Sequence, residues 1–145
     1  MRYALEVQYR GKNYAGSQIQ FGGKCKDGTR SERIEPTVQG ELEKALRTLI
    51  KCDSNVADNT RPIKTIFSGR TDKGVNSLGQ VVHFDYDKDI VASKFVYQMN
   101  EILPDDISVS NLRKVPDSFH AQKSAKSRYY KYEFINRRYK QAFDG

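Results

Sequence analysis

Asp72 stands in the stretch Ser68-Gly69-Arg70-Thr71-Asp72-Lys73-Gly74, two residues after a guanidinium and bracketed by glycines, with the apolar run Val81-Val82-His83-Phe84 close behind it. An opposite charge nearby favours the ionised form of a carboxylate, and an ionised carboxylate held at a strand end can act as a nucleophile. The same residue types also build an ordinary turn, in which the aspartate side chain bonds backbone and the glycine supplies positive φ. Local chemistry leaves both readings open.

A second group of side chains lies further along. Tyr129, Tyr130, Tyr132 and Tyr139 are interleaved with Lys126, Arg128, Lys131, Arg137 and Arg138, which sets stacking faces beside charges that attract phosphate. The alternation fits a half-buried strand equally well, with Tyr130, Tyr132 and Phe134 on the core face and Lys131 and Glu133 in water. Residues 113 to 140 hold nine basic and two acidic side chains, so this segment alone carries as much net charge as the whole 145-residue chain, +7. Such segregation favours a polyanionic partner over an evenly basic surface.

Metal and disulfide chemistry find little support. Cys25 and Cys52 form no Cys-x-x-Cys motif and neither is spaced to a histidine as zinc ligands are, so the usage fits a reducing compartment without metal or disulfide framework. His83, inside an apolar run, and His120, after Phe119, read as structural or polyanion-adjacent side chains. No apolar run approaches the roughly 18 residues of a membrane span and no secretory leader is legible. The expectation is a soluble protein of the cytoplasm, with an organellar stroma or matrix as the alternative.

The elements that must position these residues follow from periodicity. Tyr3, Leu5, Val7 and Tyr9 alternate with Arg2, Glu6, Gln8 and Arg10, which predicts a half-buried first strand. Val38, Leu42, Ala45, Leu46, Leu49 and Ile50 recur at the helical period, with Thr37 as N-cap and Glu41 and Glu43 near the positive end of the dipole. Strands near 64–68 and 80–86 flank the Asp72 turn. A second helix is expected from about Ala92, where Phe95, Val96, Met99, Ile102 and Leu103 share a face and Pro104 stops it. A strand follows over 107–115, and another over 128–135. This order predicts one α+β domain over 1–145, a mostly antiparallel ferredoxin-like βαββαβ sheet with both helices on one face, an extra C-terminal strand, and the other face free. A 37% hydrophobic content suffices for a modest core.

The Asp72 heptapeptide, together with Tyr9, Gly16, Gln18, the run Thr37-Val38-Gln39-Gly40-Glu41-Leu42-Glu43-Lys44-Ala45-Leu46, Gly79-Gln80-Val81-Val82-His83-Phe84, Phe119-His120-Ala121 and Arg128-Tyr129-Tyr130-Lys131-Tyr132, resembles the tRNA pseudouridine synthases of the TruA type. The motifs occur in the family's order from Arg2 to about Asn136. The resemblance implies an isomerase that converts uridine to pseudouridine at positions 38 to 40 of the tRNA anticodon arm, without metal or other cofactor. It implies Asp72 as nucleophile, Arg70 holding that carboxylate, Tyr130 stacking on the target uracil and Tyr132 in a structural role. Lys126, Arg128 and Lys131 are the expected RNA contacts, tRNA the partner, no membrane is involved, and a homodimer is the family's assembly.

Three departures from the family pattern stand out. The polar stretch 21–36 is long for its place, an expected RNA-contacting loop. Ser17 stands where a tryptophan is common and Asn76 where a histidine is common, which leads us to expect altered RNA contacts. The chain also ends near where family proteins enter a second half, so the expectation includes a fragment that binds RNA, converts little and associates with itself. A catalytically incomplete RNA-binding module stays open as the alternative, since a ferredoxin-like sheet does not fix function.

Overall fold

A computed structural model describes residues 1–19, 35–53 and 63–139, the side chains of 51–53 excepted. Most of the 21–36 stretch, Cys25 and the side chain of Cys52 lie outside the described residues. Strand β1 (Arg2–Tyr9) is followed by a single 3-10 turn at Gly11–Asn13, helix α1 (Val38–Asp53), strands β2 (Thr65–Phe67) and β3 (Ser77–Asp85), helix α2 (Ala92–Ile102) and strand β4 (Ile107–Val115). The strands pair antiparallel in the order β2-β3-β1-β4, the arrangement of a ferredoxin-like α+β fold.

Helix α1 begins where its cap predicts. The Thr37 hydroxyl accepts the Gly40 N–H at 3.1 Å and the Thr37 carbonyl accepts the Glu41 N–H, which satisfies donors that the first helical turn leaves without partners. Its buried face, Val38, Leu42, Ala45, Leu46 and Leu49, meets Phe95, Met99 and Leu103 of the α2 region over the inward residues of the sheet. Those sheet residues are Tyr3, Leu5, Val7 and Tyr9 of β1, Phe67, Val82, Phe84, and Ile107, Val109 and Leu112 of β4. Each fully buried side chain of this size contributes roughly 1.5–3 kcal/mol. Ile102 departs from the expected α2 face and lies exposed, because Phe95, Met99 and Leu103 already fill the helix-to-sheet contact.

Both outer strands are tied to a helix by side-chain amides or carboxylates. On β4, the Asn100 side chain donates to the Val109 carbonyl at 3.0 Å and accepts the Val109 N–H at 2.8 Å. On β2, Glu43 Oε1 accepts the Thr65 N–H at 2.8 Å while Gln39 Nε2 donates to the Thr65 carbonyl at 3.0 Å. Strand β4 also carries a bulge. Its register against β1 shifts by one between Arg113 opposite Ala4 and Ser110 opposite Glu6, and Asn111 takes φ 52° there.

Two expectations need correction. The sheet face away from the helices is not wholly free: the stretch after β4 folds over it. His83, only 2% exposed, accepts the Ala121 N–H on Nδ1 at 3.0 Å and packs its ring on Phe119 and His120. Arg2 fastens the same stretch, donating from Nη1 to the Asp117 and Phe119 carbonyls while Nε and Nη2 grip Asp85. The extra strand expected over 128–135 does not form. That segment pairs with no strand among the described residues, and Tyr132 and Phe134 are 88% and 86% exposed. Alternation is only a potential for pairing, and both edges of the sheet are already occupied by β2 and β4 with their helix contacts. No helix among the described residues is long and apolar enough to cross a membrane.

Two outcomes follow. Thr37→Ala should lower unfolding free energy by about 1 kcal/mol in urea titrations, from loss of the cap. Burial also pushes the His83 pKa below its ordinary 6.5. The unfolded chain therefore takes up a proton near pH 6.5 that the folded chain refuses, so the stability is complete above that pH and declines as pH falls through it. Urea midpoints at pH 7.5 and 5.5 should show the decline, and His83→Gln should flatten it.

Candidate active site

The loop between β2 and β3 has few backbone bonds of its own. Ser68 donates to the Val81 carbonyl at 2.8 Å where the strands part, and the Val75 N–H reaches the Asp72 carbonyl at 3.2 Å across a turn in which Gly74 takes φ 81°. Everything between is held from outside. The Gly69 N–H is accepted by Gln80 Oε1 at 3.3 Å, and the Thr71 N–H by the Ser17 hydroxyl at 2.8 Å. Ser17 returns the contact, its own N–H donating to the Thr71 carbonyl at 3.1 Å. The Thr71 hydroxyl meets the Tyr9 hydroxyl at 2.7 Å, and Gln80 Nε2 donates to that same Tyr9 oxygen at 3.0 Å. Burial raises the Tyr9 pKa above its usual value, so the phenol stays neutral and keeps its hydrogen.

Two glycines make this possible. Gly16 takes φ 123°, and a Cβ there would sit 2.9 Å from the Thr71 carbonyl oxygen, so both the conformation and the close approach require glycine. A Cβ on Gly69 would lie 3.1 Å from Arg128 Nε and 3.7 Å from the Tyr130 hydroxyl. That proximity places Tyr130 over the turn before Asp72.

The result is an exposed carboxylate on a fixed loop. Asp72 and Arg70 both face solvent. Among the described residues no ion pair joins them, so the arginine is near the carboxylate in sequence without gripping it here. Tyr130 is about half exposed, with one edge toward Gly69 and the rest open to a ligand. Arg128 does more than offer charge: its Nε and Nη2 donate to the Ser68 carbonyl at 3.0 and 2.7 Å and Nη2 also reaches the Gln122 carbonyl. It binds the aromatic segment to the start of the Asp72 loop. Lys126 is exposed, and Lys131 pairs with Glu133 in solvent. Tyr132, expected in a structural role, projects outward instead, since nothing covers the segment it sits on among the described residues.

The two departures at Ser17 and Asn76 also change meaning. Ser17 is fully buried and bonded to Thr71, and Asn76 Oδ1 accepts the Gly11 N–H at 2.8 Å. Both bond within the chain, Ser17 to the Asp72 loop itself and Asn76 from the end of that loop to the turn after β1. The Tyr9, Gln80 and Thr71 chain was not foreseen either. Its signal was a polar Gln80 in phase with the buried Val82 and Phe84, where an apolar residue would ordinarily stand. Gly16→Ala should therefore loosen the loop, destabilising the chain by about 1–3 kcal/mol in urea titrations, from positive φ together with the backbone clash.

No family model matches the chain. It is 38% identical over 143 residues to the tRNA pseudouridine synthase A of Bacillus licheniformis, a match that covers 99% of this chain and 50% of that protein. Identity is 40% over 137 residues with the protein of that name from Colwellia psychrerythraea (94% of this chain, 45% of that one) and 42% over 132 residues with that from Pasteurella multocida (91% and 42%). The chain thus spans about half the length of the curated relatives it matches. Matched along nearly its whole length to proteins of one name, the chain is a homologue of about half of a tRNA pseudouridine synthase A.

Proposed function

We propose that the chain acts on tRNA as a pseudouridine synthase, with Asp72 as the nucleophile and uridines 38 to 40 of the anticodon arm as its targets. The observation that carries this reading is the carboxylate of Asp72, exposed to solvent on a loop immobilised from three sides and overlooked by a tyrosine. A target uridine must leave its stack before the base can react, at a cost of a few kcal/mol. Stacking on the open face of Tyr130 recovers part of that cost. Arg70, Lys126, Lys131 and the remaining donors of Arg128 would meet the phosphates on either side.

The chemistry closes within the substrate. Attack by Asp72, whether at C1′ of the ribose or C6 of the base, leads to rupture of the C1′–N1 bond. The freed uracil turns, C1′ joins C5, the bond to Asp72 breaks and returns the free carboxylate, the proton on C5 leaves and N1 gains one. Atoms and electrons balance without a second substrate, an isomerisation. Arg70, on the same exposed loop, is free to close on Asp72 or on a phosphate once RNA is bound. Tyr130 supports the base by stacking, and its hydroxyl is the candidate for proton removal at C5.

Asp72→Asn tests the assignment. It keeps the size of the side chain while removing the charge of the nucleophile, and Asp72 makes no ion pair among the described residues that the fold would miss. In any context where the chain is active, pseudouridine formation on an anticodon stem-loop transcript should fall by about three orders of magnitude or more. Affinity for tRNA, measured on the same preparation, should stay within about threefold. Retained turnover would end the nucleophile assignment, and a parent chain that binds tRNA without converting it would be a catalytically incomplete RNA-binding module or a fragment of a longer synthase.

A further inference from the structure

The carboxylate of Asp72 has no bonded partner among the described residues, so its position is inherited from Thr71 before it and the turn to Val75 after it. Thr71 is in turn reached by a polar chain that runs from Gly69 through Gln80 and Tyr9. A backbone N–H can only donate, so the side-chain atom of Gln80 that faces Gly69 at 3.3 Å is its amide oxygen. The amide nitrogen then faces Tyr9 and donates to the phenol oxygen at 3.0 Å. The same Tyr9 hydroxyl meets Thr71 Oγ1 at 2.7 Å, a pair in which either oxygen can donate. The direction is fixed from Gly69 to Gln80 and from Gln80 to Tyr9, and a hydroxyl pair then joins Tyr9 to Thr71.

The geometry assigns to Tyr9 the role of a positioning residue for Asp72, acting through Thr71 and Gln80. Its ring belongs to the apolar core and is only 3% exposed, so its hydroxyl is a fixed point supplied by the end of β1. From that point it restrains both sides of the turn. Thr71 is held directly, and Gly69 is held through Gln80, whose amide would lose its second anchor without the phenol oxygen. Ser17 adds a main-chain grip on Thr71 but leaves the threonine side chain untouched. The side-chain restraint comes from Tyr9. A loop aligned to within an ångström is worth far more in turnover than in binding, because misplacement of the reacting group costs rate while leaving phosphate contacts intact.

The kinetic part of this inference rests on the synthase reading above, and its structural part does not. Tyr9→Phe removes one oxygen and keeps the ring. Amide hydrogen exchange at Gly69 and Thr71 should accelerate by about fivefold or more, while exchange along α1 stays unchanged. Single-turnover pseudouridine formation should fall on the order of 100-fold with tRNA affinity within about twofold. Thr71→Val breaks the same bond from its other, half-exposed end and should reproduce both effects, so the inference is tested even if Tyr9→Phe fails to fold. Thr71→Ser keeps the hydroxyl and should restore them. Exchange at Gly69 and Thr71 within twofold of the parent in these variants would overturn the assignment. So would undiminished turnover of Tyr9→Phe or Thr71→Val in a protein that Asp72→Asn inactivates. If the parent and Asp72→Asn alike form no pseudouridine, there is no turnover for the kinetic part to read, and the exchange measurement alone decides for or against Tyr9.

Discussion

Backbone polar groups withdrawn from water must find partners, and the Asp72 loop has almost none of its own. Everything about this site depends on how that demand is met. The Gly69 and Thr71 N–H groups are satisfied by side chains of Gln80 and Ser17, and the Thr71 carbonyl by the Ser17 N–H. A loop held this way is as rigid as the elements that lend the partners. Tyr9 and Gln80 sit on the two central strands, in phase with Val7 and Val82, both fully buried. The apolar core under α1 and α2 is therefore what fixes the carboxylate, although no hydrogen bond joins the two among the described residues.

The opposite face of the sheet is used for a second purpose. After β4 the chain crosses that face, pinned by Arg2 and by His83, and returns toward the loop so that Arg128 can close on the Ser68 carbonyl. Tyr130 thereby arrives beside Gly69, 61 positions along the chain from it, with its hydroxyl near the turn. Side chains that sequence reading would assign to phosphate binding have an internal role as well. An arginine with five donors can do both, since the carbonyls of Ser68 and Gln122 occupy only part of its fork.

Local periodicity made the elements legible. The start of α1 at Val38 after Thr37, the start of α2 at Ala92 and both ends of β4 agree with expectation, because cap chemistry and apolar phase are written within a few residues of each boundary. The strand expected over 128–135 failed for a matching reason: alternation records which face a residue could take, while pairing depends on a neighbour that no local pattern reveals. The site divided in the same way. Asp72, Arg70 and Tyr130 were legible as motif residues. The bonds that hold them link residues 62, 54 and 71 positions apart, Tyr9 to Thr71, Ser17 to Thr71 and Gln80 to Tyr9. Ser17 in particular reads as a surface substitution until the fold buries it.

The helix side chains that hold the outer strands have a consequence for how copies of this chain meet one another. A free sheet edge is a template on which a strand from another molecule can lengthen the ladder, and proteins that persist at high concentration blunt such edges. Here the backbone groups that an incoming strand would need are already taken at Thr65 by Glu43 and Gln39, and at Val109 by Asn100. The bulge at Asn111 twists the rest of β4 out of a flat register, and β2 offers only three residues. Sheet extension is thus discouraged at both ends by polar side chains whose local task is to dock a helix, and the chain is guarded against edge-to-edge aggregation.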